Sequence, residues 1–289
     1  MARDSIAVVT LTRHRPDKVR RAMRSVYAQD YAGEIEHLIV IDDDPASVPV
    51  VQEAPTRPGL RVIAHLVPRP PAEVDEPPGD RRLVYPRLSR LFNTGARASS
   101  ATWIAFLDDD NEFEPHHLSS LMACAEANGA RAVHSGRTML CSDGSPYRRE
   151  IWHTVSDPVE GARIFQLMCD RGVWIRGTNT LLDRADPVRG SSLRPSSVIQ
   201  ADDPVLLVDQ SVWLIRRDLL LELPIPETFS DEDYAMNAAP DDKLLQVLLD
   251  ANVPIFSTGQ PTLRYYLGGV SNNHEPLNAS RTAAVRAAR

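Results

Sequence analysis

Two apolar runs in this chain end in three consecutive aspartates: EHLIVI leads into Asp42, Asp43 and Asp44, and TWIAFL leads into Asp108, Asp109 and Asp110. Residues two apart on an extended backbone face the same way, so Asp108 and Asp110 can share one ligand or metal site. Carboxylate oxygens without cysteine nearby are hard donors, which favour Mg²⁺ or Mn²⁺, the usual companions of a diphosphate. Three acids crowded at the end of a buried strand also repel one another, and a bound cation relieves that cost. The plainer reading is an acidic turn in which Asn111 and Glu112 prepare a helix at Pro115. A further acidic pair, Asp241 and Asp242, follows Pro240 at the head of DDKLLQVLLDA, where an aspartate is also an ordinary helix N-cap.

Such residues need elements that hold them in place. Ser5 to Thr12 reads as a buried strand, Pro16 opens an amphipathic helix to about Gln29, and EHLIVIDDD and Leu60 to Leu66 read as two more strands. The segment PRPPAEVDEPPGD breaks all periodicity and reads as a loop. Arg82 to about Ala98 is helical in pattern despite Pro86, and Thr102 to Leu107 is the strand that carries the second acidic triplet. Helix from Glu114 to Asn128 and strand from Ala130 to Ser135 follow. The second half is less regular, with a strand at Ser211 to Ile215, helices at Arg217 to Leu223 and Asp241 to Ala251, and a closing strand over 262–267. Strand and helix alternating in this order predict an α/β fold with a mostly parallel sheet, in which ligands sit beyond the carboxyl ends of the strands.

The chain has 289 residues, 43% hydrophobic and 25% charged, which is enough apolar material for a full core and excludes wholesale disorder. Its net charge of −7 argues against nucleic acid as a partner, since phosphate binders carry a basic surplus or stripe. Three cysteines, Cys124, Cys141 and Cys169, lack zinc or dithiol spacing, and no apolar run has signal-peptide or membrane-spanning length. A cytoplasmic protein with no stable membrane anchor is expected.

Three stretches together resemble a GT-A fold glycosyltransferase of the family 2 type: VVTLTRHRPDKVRRAMRSVYAQDY, IVIDDDPAS and FNTGARASSATWIAFLDDDNEFEP, in family order and spacing over most of residues 5 to 125. The last is the most specific, with Asn-x-Gly before an apolar strand that ends in Asp-x-Asp. The resemblance implies one GT-A domain over 1–289, with a donor-binding half at 1–137, an acceptor-binding half at 138–269 and a tail at 270–289. It implies that Thr12 and Arg15 lie at the nucleotide pocket, that Asp42 or Asp43 recognises the base, and that Arg87 lies near the donor, with Arg82 and Arg90 as competitors. Asp108 and Asp109 join the donor residues, and Asp108 and Asp110 hold Mg²⁺ or Mn²⁺, with His274 as a late metal ligand or a surface loop histidine. Arg13 and His14 replace the aromatic and Asn usual in the family.

SVWLIRRDLLLELPIPETFSDEDYAMNAAPDDKLLQVLLDANVPIF resembles the family's later segment, with Asp241-Asp242 where Glu-Asp is usual. Asp242 then takes the place of the catalytic base, with Asp241 second and the Asp231-Glu232-Asp233 run third. The implied activity is metal-dependent, inverting transfer of a sugar from a nucleoside diphosphate sugar, UDP-type favoured, to a small soluble or glycan acceptor. The alternatives are a degenerate nucleotide-sugar binding protein and a sugar nucleotidyltransferase; LTRHRPDK lacks the Gly-rich loop of the latter. Trp152, Trp174 and Trp213 read as core or as an apolar platform for a sugar. Gly177-Thr178-Asn179 reads as a turn that could border the site, and His116 and His117 as helix residues.

Overall fold

The computed structural model describes residues 4–70, 73, 80–185, 199–200 and 202–269. Strand β1 (Ile6–Thr12), helix α1 (Pro16–Tyr27), β2 (Ile35–Asp42), α2 (Ser47–Gln52), β3 (Leu60–Val67), α3 (Arg81–Ala98) and β4 (Trp103–Phe106) form the first half. They are followed by β5 (Glu112–Phe113), α4 (His117–Asn128), β6 (Ala132–Leu140), α5 (Pro158–Asp170) and the short strands β7 (Thr180–Leu181), β8 (Arg184–Ala185) and β9 (Leu206–Leu207). The last elements are β10 (Trp213–Arg216), α6 (Arg217–Glu222), α7 (Asp231–Ala235), α8 (Pro240–Asp250) and β11 (Ile255–Tyr266).

The main sheet runs in the order β3-β2-β1-β4-β10-β6-β11-β5, with β7 paired to β6. β3, β2, β1 and β4 are parallel, and β11 is parallel to β6. β10 is inserted antiparallel between β4 and β6, so its amino end lies beside the carboxyl end of β4. That insertion brings residues just before Trp213 to the edge where the aspartates emerge. β8 and β9 form a separate two-stranded sheet.

Burial on both faces explains why the first strands read as continuous apolar runs. Ile39 and Ile41 of β2 pack with Val19 and Met23 of α1 and Val51 of α2, whereas Leu38 and Val40 join the main core on the other face. Helix α3 lies on that second face, and Gly95 is where it comes closest. A Cβ there would stand 2.4 Å from Val9 Cγ1 and 3.3 Å from Val40 Cγ2. The Asn-x-Gly of the sequence therefore has a packing role: Gly95 admits β1, and Asn93 donates to Ile225 O at 2.8 Å while accepting Ile225 N–H at 3.0 Å. Pro86 interrupts the hydrogen-bond ladder of α3, and the Tyr234 hydroxyl donates to the Arg82 carbonyl that Pro86 cannot serve.

Element boundaries depart from the sequence reading where tertiary pairing competes with local preference. Helix α4 starts at His117, not Glu114, because Glu112 and Phe113 pair with β11 and the Glu114 N–H donates to Thr262 O. β6 runs on to Leu140 because β7 takes over as its neighbour. β11 begins at Ile255, and its register shifts around Pro261 hide it from a period-two search. Trp152, Trp174 and Trp213 are core: Trp152 and Trp174 meet edge to face with centroids 6.1 Å apart, and Phe165 lies 5.3 Å from Trp174. The Gly177-Thr178-Asn179 turn anchors β7 to β6 through Asn179 Nδ2 and Met139 O at 2.8 Å.

Gly95→Ala tests the α3 contact. Alanine gains about 1 kcal/mol of helix propensity over glycine, but overpacking against β1 costs about 1–3 kcal/mol. A net loss of stability in urea denaturation is expected; a gain would mean that Val9 yields freely.

Candidate functional site

The carboxyl edge of the parallel strands gathers most of the acids singled out in the sequence. Thr12, the last residue of β1, donates its hydroxyl to Asp109 Oδ2 at 2.9 Å. Arg15, at the head of α1, reaches Asp109 Oδ1 at 3.0 Å and Asp110 Oδ2 at 3.3 Å. Lys18 Nζ lies 3.4 Å from the same Asp110 oxygen, and Arg21 donates to Asp110 O at 2.6 Å and pairs with Glu112 at 3.0 Å. Arg15, Lys18 and Arg21 thus form one cationic row over the aspartates. Only Arg15 was singled out in the sequence; the three-residue spacing on one helix face was the signal for the other two.

Asp108 is held by Ser211. Its N–H donates to Ser211 Oγ at 3.0 Å, and the Ser211 hydroxyl returns to Asp108 Oδ2 at 3.1 Å. Burial, then Asp209 and Asp110, push the Asp108 carboxyl well above its ordinary value. Burial and Asp110 raise Asp109 to about 6 against the opposing pull of Arg15 and Thr12.

At the neighbouring strand end, Asp42 is tied to two guanidiniums, Arg87 at 2.8 Å and Arg69 at 2.6 Å. Burial opposes its charge, but the hydrogen bonds from Arg69 and Arg87 prevail and hold it below its ordinary value. Arg87 is itself buried and donates to Pro68 O at 3.1 Å, whereas Arg90 reaches Glu73 and Arg82 reaches Asp231. Asp43 adopts the left-handed conformation, with φ of 49°, which carries the chain away from β2. Asp44 accepts the His14 N–H at 2.8 Å, so the loops after β1 and β2 are joined at that point.

The acids Asp241 and Asp242 come from the first turn of helix α8. Asp242 Oδ2 accepts the Ala239 N–H at 2.9 Å, so one of its oxygens does the work of an N-terminal cap. Burial raises Asp242 to about 6, opposed by the Ala239 N–H and Arg137. Burial, Asp242 and Asp209 hold Asp241 well above its ordinary value. Asp233 is engaged by Lys243 at 2.8 Å and by the Ser230 cap, which leaves the Asp231-Glu232-Asp233 run as a helix start. Asp209 acts on Asp108 as well as on Asp241 and Asp242, so acids from β4 and α8 share one electrostatic environment. The sequence reading did not single out Asp209, Ser211, Arg137 or Asp183, which come from separate segments without a shared motif. His274 lies outside the described residues.

Among the described residues, no three His, Cys, Asp or Glu side chains form a metal cage. Mg²⁺ seldom uses one; it takes one or two carboxylates plus waters and substrate phosphates. Asp110 suits that role. Its Oδ2 draws two cationic side chains, and it lies 3.2 Å from where a Cβ on Gly269 would stand, so the bare glycine leaves room beside the carboxylate.

A sheet of this order, with its acids at the carboxyl edge, is a GT-A fold. Residues 85–185 match the sequence model of Glycosyl transferase family 2. Crystal structures of Staphylococcus aureus TarS share the fold: TarS 1-349 superposes with a TM-score of 0.51 at 12% identity, over 91% of this chain and 60% of that one. TarS 1-349 in complex with UDP gives the same values, and the complex with UDP-GlcNAc gives a TM-score of 0.50 at 12% identity, over 91% and 58%. This chain therefore spans about 60% of the length of the TarS chains it matches. No curated protein sequence matches it.

The buried acids predict an unusual pH dependence. Asp183, raised to about 7 by burial and Asp209, and the raised Asp108 and Asp241 bind protons more tightly folded than unfolded. Stability therefore rises as pH falls through their folded values toward the ordinary 3.8. His37 and His117 act in the opposite sense only below 6.5, because burial depresses both to about 3. The melting temperature is thus expected to be higher near pH ~6.5 than near pH ~8. Scanning calorimetry in a low-salt buffer series reads this directly, and a flat or rising profile toward alkaline pH contradicts it.

Proposed function

We propose that this chain is a metal-dependent, inverting glycosyltransferase that moves a sugar from a nucleoside diphosphate sugar, UDP-type favoured, to a hydroxyl or amine of a small acceptor. The observation that carries the reading is the convergence of Asp108–Asp110 at the end of β4 with Asp241–Asp242 at the start of α8, through the field of Asp209. The family match over residues 85–185 and the nucleotide complexes of TarS support it.

In this reading Asp42 and Asp43, at the end of β2, border the base; Arg69 and Arg87 fix the direction of Asp42. Thr12 and Arg15 orient Asp109, and the row Arg15, Lys18 and Arg21 faces the diphosphate. Asp110, with Asp108, would hold Mg²⁺ or Mn²⁺, with His274 the further ligand that the family resemblance implies. A cation there would supply positive charge to offset that of the departing diphosphate. Asp242 accepts the proton of the acceptor group, whose oxygen or nitrogen lone pair forms the new bond to the anomeric carbon. The bond from that carbon to the phosphate oxygen breaks, and the nucleoside diphosphate leaves with the electron pair.

Of the two helix-start acids, Asp242 suits the base. A base must be ionised at working pH, and Asp242 at about 6 meets this near neutrality, whereas Asp241 is held further above its ordinary value. No helix among the described residues is long and apolar enough to cross a membrane.

A thermal-shift panel of nucleoside diphosphates and their sugars, with and without Mn²⁺ or Mg²⁺, tests the donor site. Ligand at about 100 times its Kd stabilises by about 2.7 kcal/mol. Asp110→Ala is expected to abolish the metal-dependent part, and no stabilisation by any diphosphate would remove the proposal. Asp242→Asn is expected to keep donor binding and lose about 10²–10⁴-fold in transfer rate. Undiminished turnover would move the base to Asp241.

A further inference from the structure

Arg137 sits where β6 exchanges one neighbour for another: its backbone pairs with Leu181 of β7 on one side and Leu263 of β11 on the other. Its buried guanidinium forks onto Asp209 Oδ2 at 2.6 Å and Asp183 Oδ1 at 2.9 Å, and stands 4.9 Å from the centre of the Tyr265 ring. Asp183 Oδ1 also accepts the Asp209 N–H at 3.0 Å. From Asp209 the connection continues outward, because its Oδ1 accepts the Ser211 N–H at 2.9 Å and Ser211 holds Asp108. One hydrogen-bonded path therefore runs from Arg137 to the donor-side aspartate.

The cluster is expensive for a structural device. Two carboxylates share one cation in the interior, and Arg137 Nε and Asp183 Oδ2 are buried without a hydrogen-bond partner. Buried ion pairs are often no better for stability than apolar residues of the same shape. What this one supplies is a positive charge in contact with Asp183 beside β8 and Asp209 before β10, whose field also reaches Asp241 and Asp242 on α8.

We propose that Arg137 is a positioning residue of the transfer site, holding Asp209 against the Ser211–Asp108 link and supplying the positive charge that keeps the Asp241–Asp242 pair usable as a proton acceptor. This rests on the reading of that pair as the site of the base. The groups within electrostatic reach of the pair are Arg137 from β6, Asp209 from the segment before β10, and Tyr85 from α3, which Arg81 also influences. Arg137 favours the ionised form of both aspartates and Asp209 favours the protonated form. Removing either one must therefore move the pair in opposite directions.

The test is a carboxyl-carbon NMR titration of the full chain labelled with ¹³C-carboxyl aspartate, the pair assigned with D241N and D242N. In Arg137→Met the titration of the pair is expected at higher pH, in Asp209→Asn at lower pH, and in Arg137→Lys close to wild type. Should the methionine variant not fold, the other two still decide. No movement in Asp209→Asn, or movement of both variants in one direction, overturns the inference. In a transfer assay the acid limb of Arg137→Met moves to higher pH, and kcat falls about tenfold or more while the donor KM stays within about twofold. If the titrations shift as stated but wild type transfers no sugar, the general-base reading falls and the electrostatic role of Arg137 stands. If wild type transfers sugar and the titrations do not move, Arg137 is only structural.

Discussion

Crowding of negative charge at one edge of the sheet is the constraint around which this protein is arranged. Aspartates from β4, from the segment before β10 and from α8 are brought within each other's field in a partly dehydrated space. Two sets of cations counter them. Arg15, Lys18 and Arg21 lie half-exposed on α1, and Arg137 lies inside, held by its own partners. The inner guanidinium is 3% exposed and held by two carboxylates. Charge is thus countered by solvated cations at the rim and by a buried one beneath it.

The two halves meet along α3 as well as through the sheet. The middle of that helix is held by Asn93, which exchanges hydrogen bonds with Ile225 and reaches Glu227. Its carboxyl end is covered by Arg217, which donates to Ala96 O at 3.0 Å, a placement that also favours the helix dipole. Near its start, Arg81 and Tyr85 both reach Asn237. The helix that carries Arg87 is thus fastened by three separate segments of the second half of the chain, at Arg217, Ile225 and Asn237. Asp42, through Arg87, is therefore tied to a helix that the segments around α8 also hold.

Much of this was legible in the sequence, for definite reasons. β1, β2 and β4 are buried on both faces, so their apolar runs are continuous, and the acids that follow mark where burial ends. The Asp242 cap was legible because Pro240 fixes the helix start locally. What stayed hidden depends on pairing between distant segments. β5 consists of two residues just ahead of an expected helix, whose start its pairing with β11 delays to His117, and β11 carries register shifts that disrupt its own pattern. Asp209, Ser211 and Arg137 have no common motif; only the antiparallel insertion of β10 sets the first two beside Asp108. Asn93 and Gly95 matched a motif, but their reason is contact with Ile225 and Val9, which no spacing discloses.

Pro86 gives α3 one carbonyl that its own helix cannot satisfy, and the hydroxyl of Tyr234 on α7 takes it up while Arg82 lies over the same ring at 4.6 Å. An irregularity in one half is therefore complementary to a side chain in the other, much as a notch receives a pin. α7, in the segment leading into α8, is thereby joined to the first turn of α3 at a point set by a missing amide hydrogen.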